Sequence, residues 1–232
     1  MDIENKKIVL FGGTSGIGLS TLVMLSNMKA KKIFTISRSP EKCTFKAENV
    51  EFKKLDVLDE SKLSDFFEHI GDYDILINTA TGGERALGPF MEMELEGYRK
   101  SFRKLWGYTN TIRLGLKGLN KKGCVVLVSG SPARKCKSGQ IALASVGAAV
   151  EAFGKALAAE IKPIRINIVS PGVIDTPMSP LIGNDRKIFY NNLTKDNLIP
   201  RAGSSDEVAK AILFAIQNDF ITGTIIDIDG GW

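Results

Sequence analysis

The 232-residue sequence has little of what several kinds of site require. It contains one histidine, His69, and three cysteines without metal-like spacing, so we expect no metal site. The odd number of cysteines argues against a disulfide framework and favours a reducing, cytoplasmic location. No apolar run approaches the ~18 residues that a membrane helix needs. The amino terminus also lacks the apolar core of a signal peptide, and we expect no membrane partner.

The chain lacks a concentrated run of charge, although its net charge is +5 and its pI is near 9.0. The basic residues come as scattered pairs beside apolar segments. Such pairs are typical of solvated strand ends, so we expect no nucleic-acid partner. A positive field of this kind favours a polyanionic cofactor instead.

A glycine cluster at residues 12–18, with the sequence Gly-Gly-Thr-Ser-Gly-Ile-Gly, is the most informative feature present. It follows the apolar run 8–11 and opens a stretch with helical periodicity. Strand, glycine turn and helix predict a dinucleotide site, because the turn and the helix N-terminus offer N–H groups to a pyrophosphate. The residues expected to bind the cofactor here are Gly12, Thr14, Ser15, Gly16, Ile17 and Gly18.

Seven apolar segments lack the alternation of a one-sided sheet and predict buried parallel strands. They are 7–11, 32–37, 51–56, 74–79, 124–129, 165–170 and 225–229. Helical patterns occupy 61–70, 91–118, 140–161 and 205–217. The alternation predicts one α/β domain over 1–232, a Rossmann-type doubly wound parallel sheet with helices on both faces. Segment 176–200, which has weak periodicity and three prolines, is expected to form a loop-rich substrate lid.

Several motifs, in order along the chain, resemble the short-chain dehydrogenase/reductase family over nearly its whole length. They are the glycine loop, Asp56-Val57, the 78–82 element Asn-Thr-Ala-Thr-Gly, the 170–177 segment Ser-Pro-Gly-Val-Ile-Asp-Thr-Pro, and Asp-Ile-Asp-Gly-Gly at 227–231. The resemblance implies a nicotinamide-dependent oxidoreductase that forms homodimers or homotetramers. It also implies further cofactor contacts from Asp56, Val57, Asn78, Thr79, Ala80, Pro171, Gly172, Val173 and Thr176.

The end of the second predicted strand indicates which nicotinamide cofactor is used. A carboxylate there would accept hydrogen bonds from the ribose 2′-hydroxyl and repel a 2′-phosphate. This chain has Ser37 and Arg38 instead. A guanidinium matches a phosphate in charge and in fork geometry, so we expect NADP(H).

The catalytic pair of the family, a Tyr with a Lys four residues later, has no counterpart. Leu143 stands at the tyrosine position and Gly147 at the lysine position. A shifted alignment cannot restore the pair, because residues 109–189 contain no tyrosine and residues 138–154 contain no lysine. Ordinary alcohol and ketone chemistry therefore needs another proton source.

Other residues of the sequence are candidates to take over the role of the catalytic Tyr and Lys. Lys104 stands where the family has a helix Asn, and its ammonium could donate a proton or stabilise an oxyanion. The family serine after the fifth strand aligns with Gly130, so Ser129 or Ser131 is expected to supply polar positioning. Tyr108 lies four residues after Lys104 and is a further candidate acid.

The sequence leaves three functions open. The first is carbonyl reduction assisted by Lys104, and the second is hydride transfer to an electron-poor conjugated alkene, which needs less acid from the protein. The third is a catalytically inactive NADP(H)-binding sensor or scaffold, with a non-redox lyase or isomerase ranked after it. Arg134, Lys135 and Lys137, together with Lys104, predict an anionic small-molecule substrate, and Arg85 is a weaker candidate at the same edge.

Overall fold

The computed structural model describes residues 1–81 and 85–232. Gly82, the last residue of the 78–82 element, lies outside the described residues. Within these two ranges, nine strands follow in chain order. They are β1 (Lys7–Phe11), β2 (Lys32–Ser37), β3 (Val50–Lys54), β4 (Tyr73–Asn78), β5 (Leu119–Val128), β6 (Arg165–Pro171), β7 (Ile174–Asp175), β8 (Gly203–Ser204) and β9 (Ile225–Ile228).

Seven of these strands form a parallel sheet in the order β3-β2-β1-β4-β5-β6-β9, and β7 pairs with β8 outside it. The helices that connect them are α1 (Gly16–Asn27), α2 (Glu60–Ile70), α3 (Leu95–Ser101), α4 (Arg103–Gly115), α5 (Ile141–Glu160), α6 (Gly183–Thr194) and α7 (Ser205–Gln217). This arrangement confirms the predicted doubly wound sheet.

Two apolar cores lie on the two faces of the sheet, because successive strand residues point in opposite directions. On β1, Val9 and Phe11 belong to a core shared with α2, α4 and α5. Ile8 and Leu10 belong to a core shared with α1 and α7. Both faces are therefore covered, which explains why the strands are apolar throughout.

Helix α5 is long and apolar enough in composition to cross a membrane. In the fold it packs against the sheet instead, through buried residues that include Ala142, Val146 and Val150. One face of this helix therefore belongs to the apolar core.

The prediction of one continuous helix over 91–118 is wrong, because the chain turns at Phe102 between α3 and α4. The Ser101 hydroxyl donates to the carbonyl of Gly97, one turn earlier, at 3.0 Å. It also accepts the N–H of Ala86 at 3.0 Å. A serine bonded back to its own helix bends that helix. The contact between Ser101 and Ala86 explains the break between α3 and α4. The helical periodicity of the sequence does not show this contact.

The 176–200 segment is also more regular than predicted, since it contains the twelve-residue helix α6. Tyr190 on α6 is only 8% exposed, and its hydroxyl lies 3.4 Å from the N–H of Thr176. Arg186 donates to the carbonyl of Thr176 at 2.7 Å. These bonds tie α6 to the start of the segment. The predicted loop-rich structure is therefore wrong, and the role of the segment as a substrate lid stays a prediction.

The tightest backbone packing occurs at the glycine cluster. Gly12 has φ +87°, a conformation that favours glycine. A Cβ on Gly18 would lie 2.1 Å from the carbonyl oxygen of Gly12 and 2.6 Å from Thr79 Oγ1. The first turn of α1 therefore rests directly on the end of β1.

Replacing Gly18 with alanine is expected to destabilise the protein by about 1–3 kcal/mol, the usual cost of overpacking. Gly97→Ala is the matched control, because the added Cβ would meet no described atom closer than the Ala86 Cβ at 3.6 Å. That control should gain up to ~1 kcal/mol from helix propensity. Urea unfolding measures both variants, and equal midpoints would contradict the close packing described above.

Candidate active site

The N-terminus of α1 is left open within the described chain. Its N-cap residue, Ser15, has an extended backbone and forms no side-chain cap bond, and the first turn carries no acidic residue. The matching positions Asp59 of α2 and Ser204 of α7 both accept a backbone N–H from their own helix. The first N–H groups of α1 are thus available to an anion, which this helix end favours.

The predicted cofactor residues gather at the carboxyl edge of the sheet. In register, Phe11 at the end of β1 lies opposite Asn78 at the end of β4, and Thr79 N–H donates to the carbonyl of Phe11 at 2.9 Å. A Cβ on Gly16 would lie 3.5 Å from Thr176 Cβ, so the glycine loop meets the 170–177 segment. The predicted residues at this edge are Gly12, Thr14, Ser15, Gly16, Ile17, Gly18, Ser37, Arg38, Asp56, Val57, Asn78, Thr79, Ala80, Pro171, Gly172, Val173 and Thr176.

Several of these side chains are fixed by internal bonds. The Asn78 amide donates to Thr111 Oγ1 at 2.7 Å on the buried side of β4. Asp56 accepts the N–H of Leu58 at 3.0 Å, which orders the turn after β3. Gly172 donates its N–H to Ile228 at 3.0 Å. The edge is therefore preorganised at three separate strand ends.

Arg38 stands directly after β2 and is exposed. Ser37 Oγ accepts the N–H of Ser39 at 3.0 Å, which shapes the turn that carries the arginine. Among residues 1–81 and 85–232 the guanidinium of Arg38 has no hydrogen-bond or ion-pair partner. Its five N–H donors remain open to an external acceptor.

Lys104 is half-buried on α4, and its Nζ donates to the main-chain carbonyl of Ser129 at 3.0 Å. The same Nζ lies 5.7 Å from the ring centre of Tyr108. Loss of water on burial, followed by the positive charge of Arg85, lowers the pKa of Lys104 to about 7. An amine near neutrality can gain or lose a proton at working pH, as a general acid must.

Tyr108 is wrong as a candidate acid. Its side chain is fully buried, and its hydroxyl donates to the carbonyl of Val128 at 3.0 Å. Burial raises the pKa of Tyr108 far above its usual value. The ring instead lies beside the Lys104 amine.

Ser129 and Ser131 differ in what they can offer. The Ser129 hydroxyl donates to Glu151 Oε1 at 3.0 Å, so its proton is already committed. The main-chain carbonyl of Ser129 is the group that contacts Lys104. The prediction that the Ser129 hydroxyl positions a substrate is therefore wrong, and Ser129 positions Lys104 through its backbone instead. Ser131 Oγ is buried and has no partner in the described part of the chain, which leaves it open to a bound molecule.

Arg134 does not present a free charge to a substrate, contrary to the expectation from sequence. Its Nε lies 3.1 Å from Glu151 Oε2, and its Nη1 donates to Asp227 Oδ2 at 2.8 Å. Its Nη2 donates to Ser170 Oγ at 2.8 Å. The guanidinium therefore links the ends of β6 and β9 to α5. It also holds the pKa of the Asp227 carboxyl below its usual value.

Sequence reasoning missed Glu151, which is 5% exposed in the middle of α5. Its carboxylate joins Arg134 to Ser129 and so anchors the backbone that Lys104 contacts. The sequence feature that could have revealed Glu151 is a single carboxylate on the same side of the helix as the buried residues Val150 and Gly154. Buried carboxylates require a partner, and this one predicts a hidden cation.

Gly147, at the position where the family has its lysine, is tightly packed. A Cβ on Gly147 would lie 3.0 Å from Ala133 Cβ and 3.4 Å from the carbonyl oxygen of Gly130. The turn after β5 thus packs where a longer side chain would emerge.

Among the described residues no group of three or more His, Cys, Asp and Glu side chains is arranged to hold a metal ion.

These features together define a Rossmann-type dinucleotide-binding protein with an amine near neutral pKa at its active edge. A family model described as "Enoyl-(Acyl carrier protein) reductase" matches residues 12–232. The chain belongs to this short-chain dehydrogenase/reductase family.

Similar proteins carry related names. Carbonyl reductase family member 4 of Xenopus tropicalis is 30% identical over 97% of each chain. The 3-oxoacyl-[acyl-carrier-protein] reductase of Homo sapiens is 27% identical over 98% of each chain. The crystal structure of a small-chain dehydrogenase in complex with NADPH is 31% identical, covers 98% of each chain and superposes with a TM-score of 0.82. The predicted family, oxidoreductase class and NADP(H) cofactor are thus confirmed at the level of the family.

The Arg134–Glu151 pair yields a stability prediction. Arg134→Met leaves the Glu151 carboxylate buried without its cation, and we expect a loss of about 2–3 kcal/mol, because the 38% exposure of Arg134 screens the pair. Adding Glu151→Leu removes the unpaired charge, so the double variant should recover at least half of the loss. Urea unfolding of the single and double variants measures this, and additive losses would contradict the pairing.

Proposed function

We propose that this protein is an NADP(H)-dependent oxidoreductase that reduces a carbonyl group or an activated conjugated alkene. Lys104 supplies the charge stabilisation or the proton that the family's Tyr and Lys supply elsewhere. The observation that carries the proposal is the Lys104 amine, held 3.0 Å from the Ser129 carbonyl at the carboxyl edge of the sheet. The small-molecule substrate binds between this edge and the 176–200 segment.

The residues present fit the cofactor. The open N-terminus of α1 and the closely packed glycine loop provide N–H donors and the close approach that a pyrophosphate needs. Asp56 and Val57 would border the adenine, and the 171–173 backbone with Thr176 would hold the nicotinamide end. The unpartnered Arg38 supports NADP(H) over NAD(H), since it would pair with a 2′-phosphate.

The bound cofactor supplies a hydride. The protein must then stabilise the negative charge that develops on the substrate oxygen, or on the conjugated system of an alkene. Lys104 can do this because one of its donors is fixed on Ser129 and the others have no partner among the described residues. The family description as an enoyl reductase supports the alkene form, and the similar carbonyl reductases support the carbonyl form.

Lys104→Met tests the chemistry. We expect kcat/KM for reduction by NADPH to fall by about 10²–10⁴-fold, the usual contribution of a general acid. In the native protein the rate should decline above pH 7, because the pKa of Lys104 is lowered to about 7 and its ammonium form is the active one. The decline should be absent in the variant. Steady-state kinetics over a panel of carbonyl compounds and enones, between pH 5 and 9, measures both effects.

Lys62→Met is the matched control, because it makes the same change at an exposed lysine on α2, outside the proposed site. The thermal midpoint of Lys104→Met should not fall, since burial disfavours the charged amine that the variant removes. A near-normal kcat in Lys104→Met would sink the proposed role. Binding of NADPH without turnover of any compound would favour the sensor or scaffold alternative instead.

Arg38→Asp tests the choice of cofactor. The substitution replaces a cation with a carboxylate that repels a 2′-phosphate and can accept from a 2′-hydroxyl. NADPH affinity should fall at least tenfold, about 1.4 kcal/mol, while NADH affinity stays constant or rises. Isothermal titration calorimetry measures both, and an unchanged ratio of the two affinities would remove Arg38 from the cofactor site.

We further propose a cytoplasmic enzyme that acts as a homodimer or homotetramer. The free thiols of Cys43, Cys124 and Cys136 support a reducing compartment. Trp106 on α4 is 60% exposed and offers apolar surface to a second copy of the chain.

A further inference from the structure

Arg186 on α6 binds a short stretch of irregular backbone with all five of its N–H groups. Its Nη1 donates to the carbonyls of Ser179 at 2.8 Å and Leu181 at 2.9 Å. Its Nη2 donates to the carbonyl of Thr176 at 2.7 Å and to the Asp175 carboxylate. Its Nε donates to the same carboxylate at 2.9 Å. This guanidinium therefore has no donor left for a substrate or a cofactor.

Both backbone polar groups of Thr176 are held by side chains of α6. The carbonyl accepts from Arg186, and the N–H lies 3.4 Å from the hydroxyl of Tyr190. The guanidinium carbon of Arg186 lies 5.3 Å from the ring centre of the buried Tyr190, so the two side chains also pack against each other. The backbone at Thr176 is thus fixed by a helix that follows it in the chain, in addition to the short pairing of β7 with β8.

Thr176 also lies against the glycine loop. It is 9% exposed, and a Cβ on Gly16 would lie 3.5 Å from the Thr176 Cβ and 3.6 Å from its Cγ2. The Thr176 hydroxyl oxygen accepts the N–H of Met178 at 3.4 Å, while the hydroxyl proton has no acceptor in the described part of the chain. This hydroxyl can therefore donate to a group bound beside the loop, such as the carboxamide oxygen of a nicotinamide.

Resting on the cofactor site proposed above, we infer that Arg186 is a positioning residue for NADP(H). It holds the turn at Thr176 in place for the nicotinamide end of the cofactor, without contacting the cofactor itself. A binding segment that is already ordered loses less conformational entropy when its ligand binds. Without the guanidinium, four acceptors within 175–181 lose their donor, and this stretch has to become ordered as the cofactor binds. Cofactor affinity and the position of α6 are therefore coupled.

Calorimetric titration with NADPH and with adenosine 2′,5′-bisphosphate tests the inference. The bisphosphate lacks the nicotinamide half, so its affinity reports the part of the site that Arg186 does not order. In Arg186→Met we expect NADPH to bind about tenfold more weakly and the bisphosphate to change by less than about twofold. Arg186→Lys keeps a cation with three donors and should recover part of the NADPH affinity. Lys187→Met, the matched control, removes a charge from the next, exposed position of α6 and should leave both affinities unchanged.

Tyr190→Phe is an independent variant that should preserve the fold. It keeps the buried ring and removes only the hydroxyl near the Thr176 N–H. NADPH should bind about threefold more weakly to this variant, the effect of one neutral hydrogen bond, and the bisphosphate should bind as it does to the native protein.

The outcomes separate the inference from the proposed function. Equal NADPH affinity in the native protein, Arg186→Met and Tyr190→Phe would overturn the inference and leave the proposed reductase standing. Equal weakening of NADPH and the bisphosphate would also overturn it, because the damage would then extend to the whole site. NADPH binding that depends on Arg186, in a protein that reduces no carbonyl compound or enone, would support the inference and contradict the reductase. Failure of the native protein to bind either ligand would overturn both.

Discussion

The parallel pairing of β1 with β4 is the constraint on which the rest of the site depends. From this pair the sheet grows outward in both directions, toward β3 on one side and β9 on the other. A crevice forms where the order reverses, outside the carboxyl ends of the strands. The register that sets Phe11 opposite Asn78 also brings the glycine loop against Thr79. Both ends of a long cofactor can therefore be met by residues from distant parts of the chain.

A second interaction, between Arg134 and Glu151, organises the part of the same edge that lies near Lys104. Burying a carboxylate is costly without a partner, and here the pair also holds Ser129, Ser170 and Asp227. Lys104 rests on the Ser129 carbonyl that this network fixes. This part of the edge thus combines an amine with a lowered pKa and a hydrogen-bonded support.

Much of this structure could be predicted from sequence because the signals are local. The buried strands are continuous apolar runs, and Gly12 and Gly18 mark a turn that only small residues permit. The prediction failed where contacts between residues far apart in the sequence determine the structure. The break at Phe102 depends on Ser101 meeting Ala86, and the early start of β5, at Leu119 rather than 124, depends on pairing with Tyr73. Arg134 bonds to Asp227, which lies 93 residues later in the sequence. No local sequence pattern shows this pair, so the prediction of a free charge on Arg134 was wrong.

Fluorescence titration of the native protein with NADPH and NADH tests the central claim, an intact NADP(H) site, most directly. We expect saturable enhancement of reduced-nicotinamide fluorescence, with NADPH bound at least tenfold more tightly, about 1.4 kcal/mol, than NADH. Failure to bind either cofactor would contradict it. The glycine loop and the open end of α1 would then be a retained framework rather than a working site.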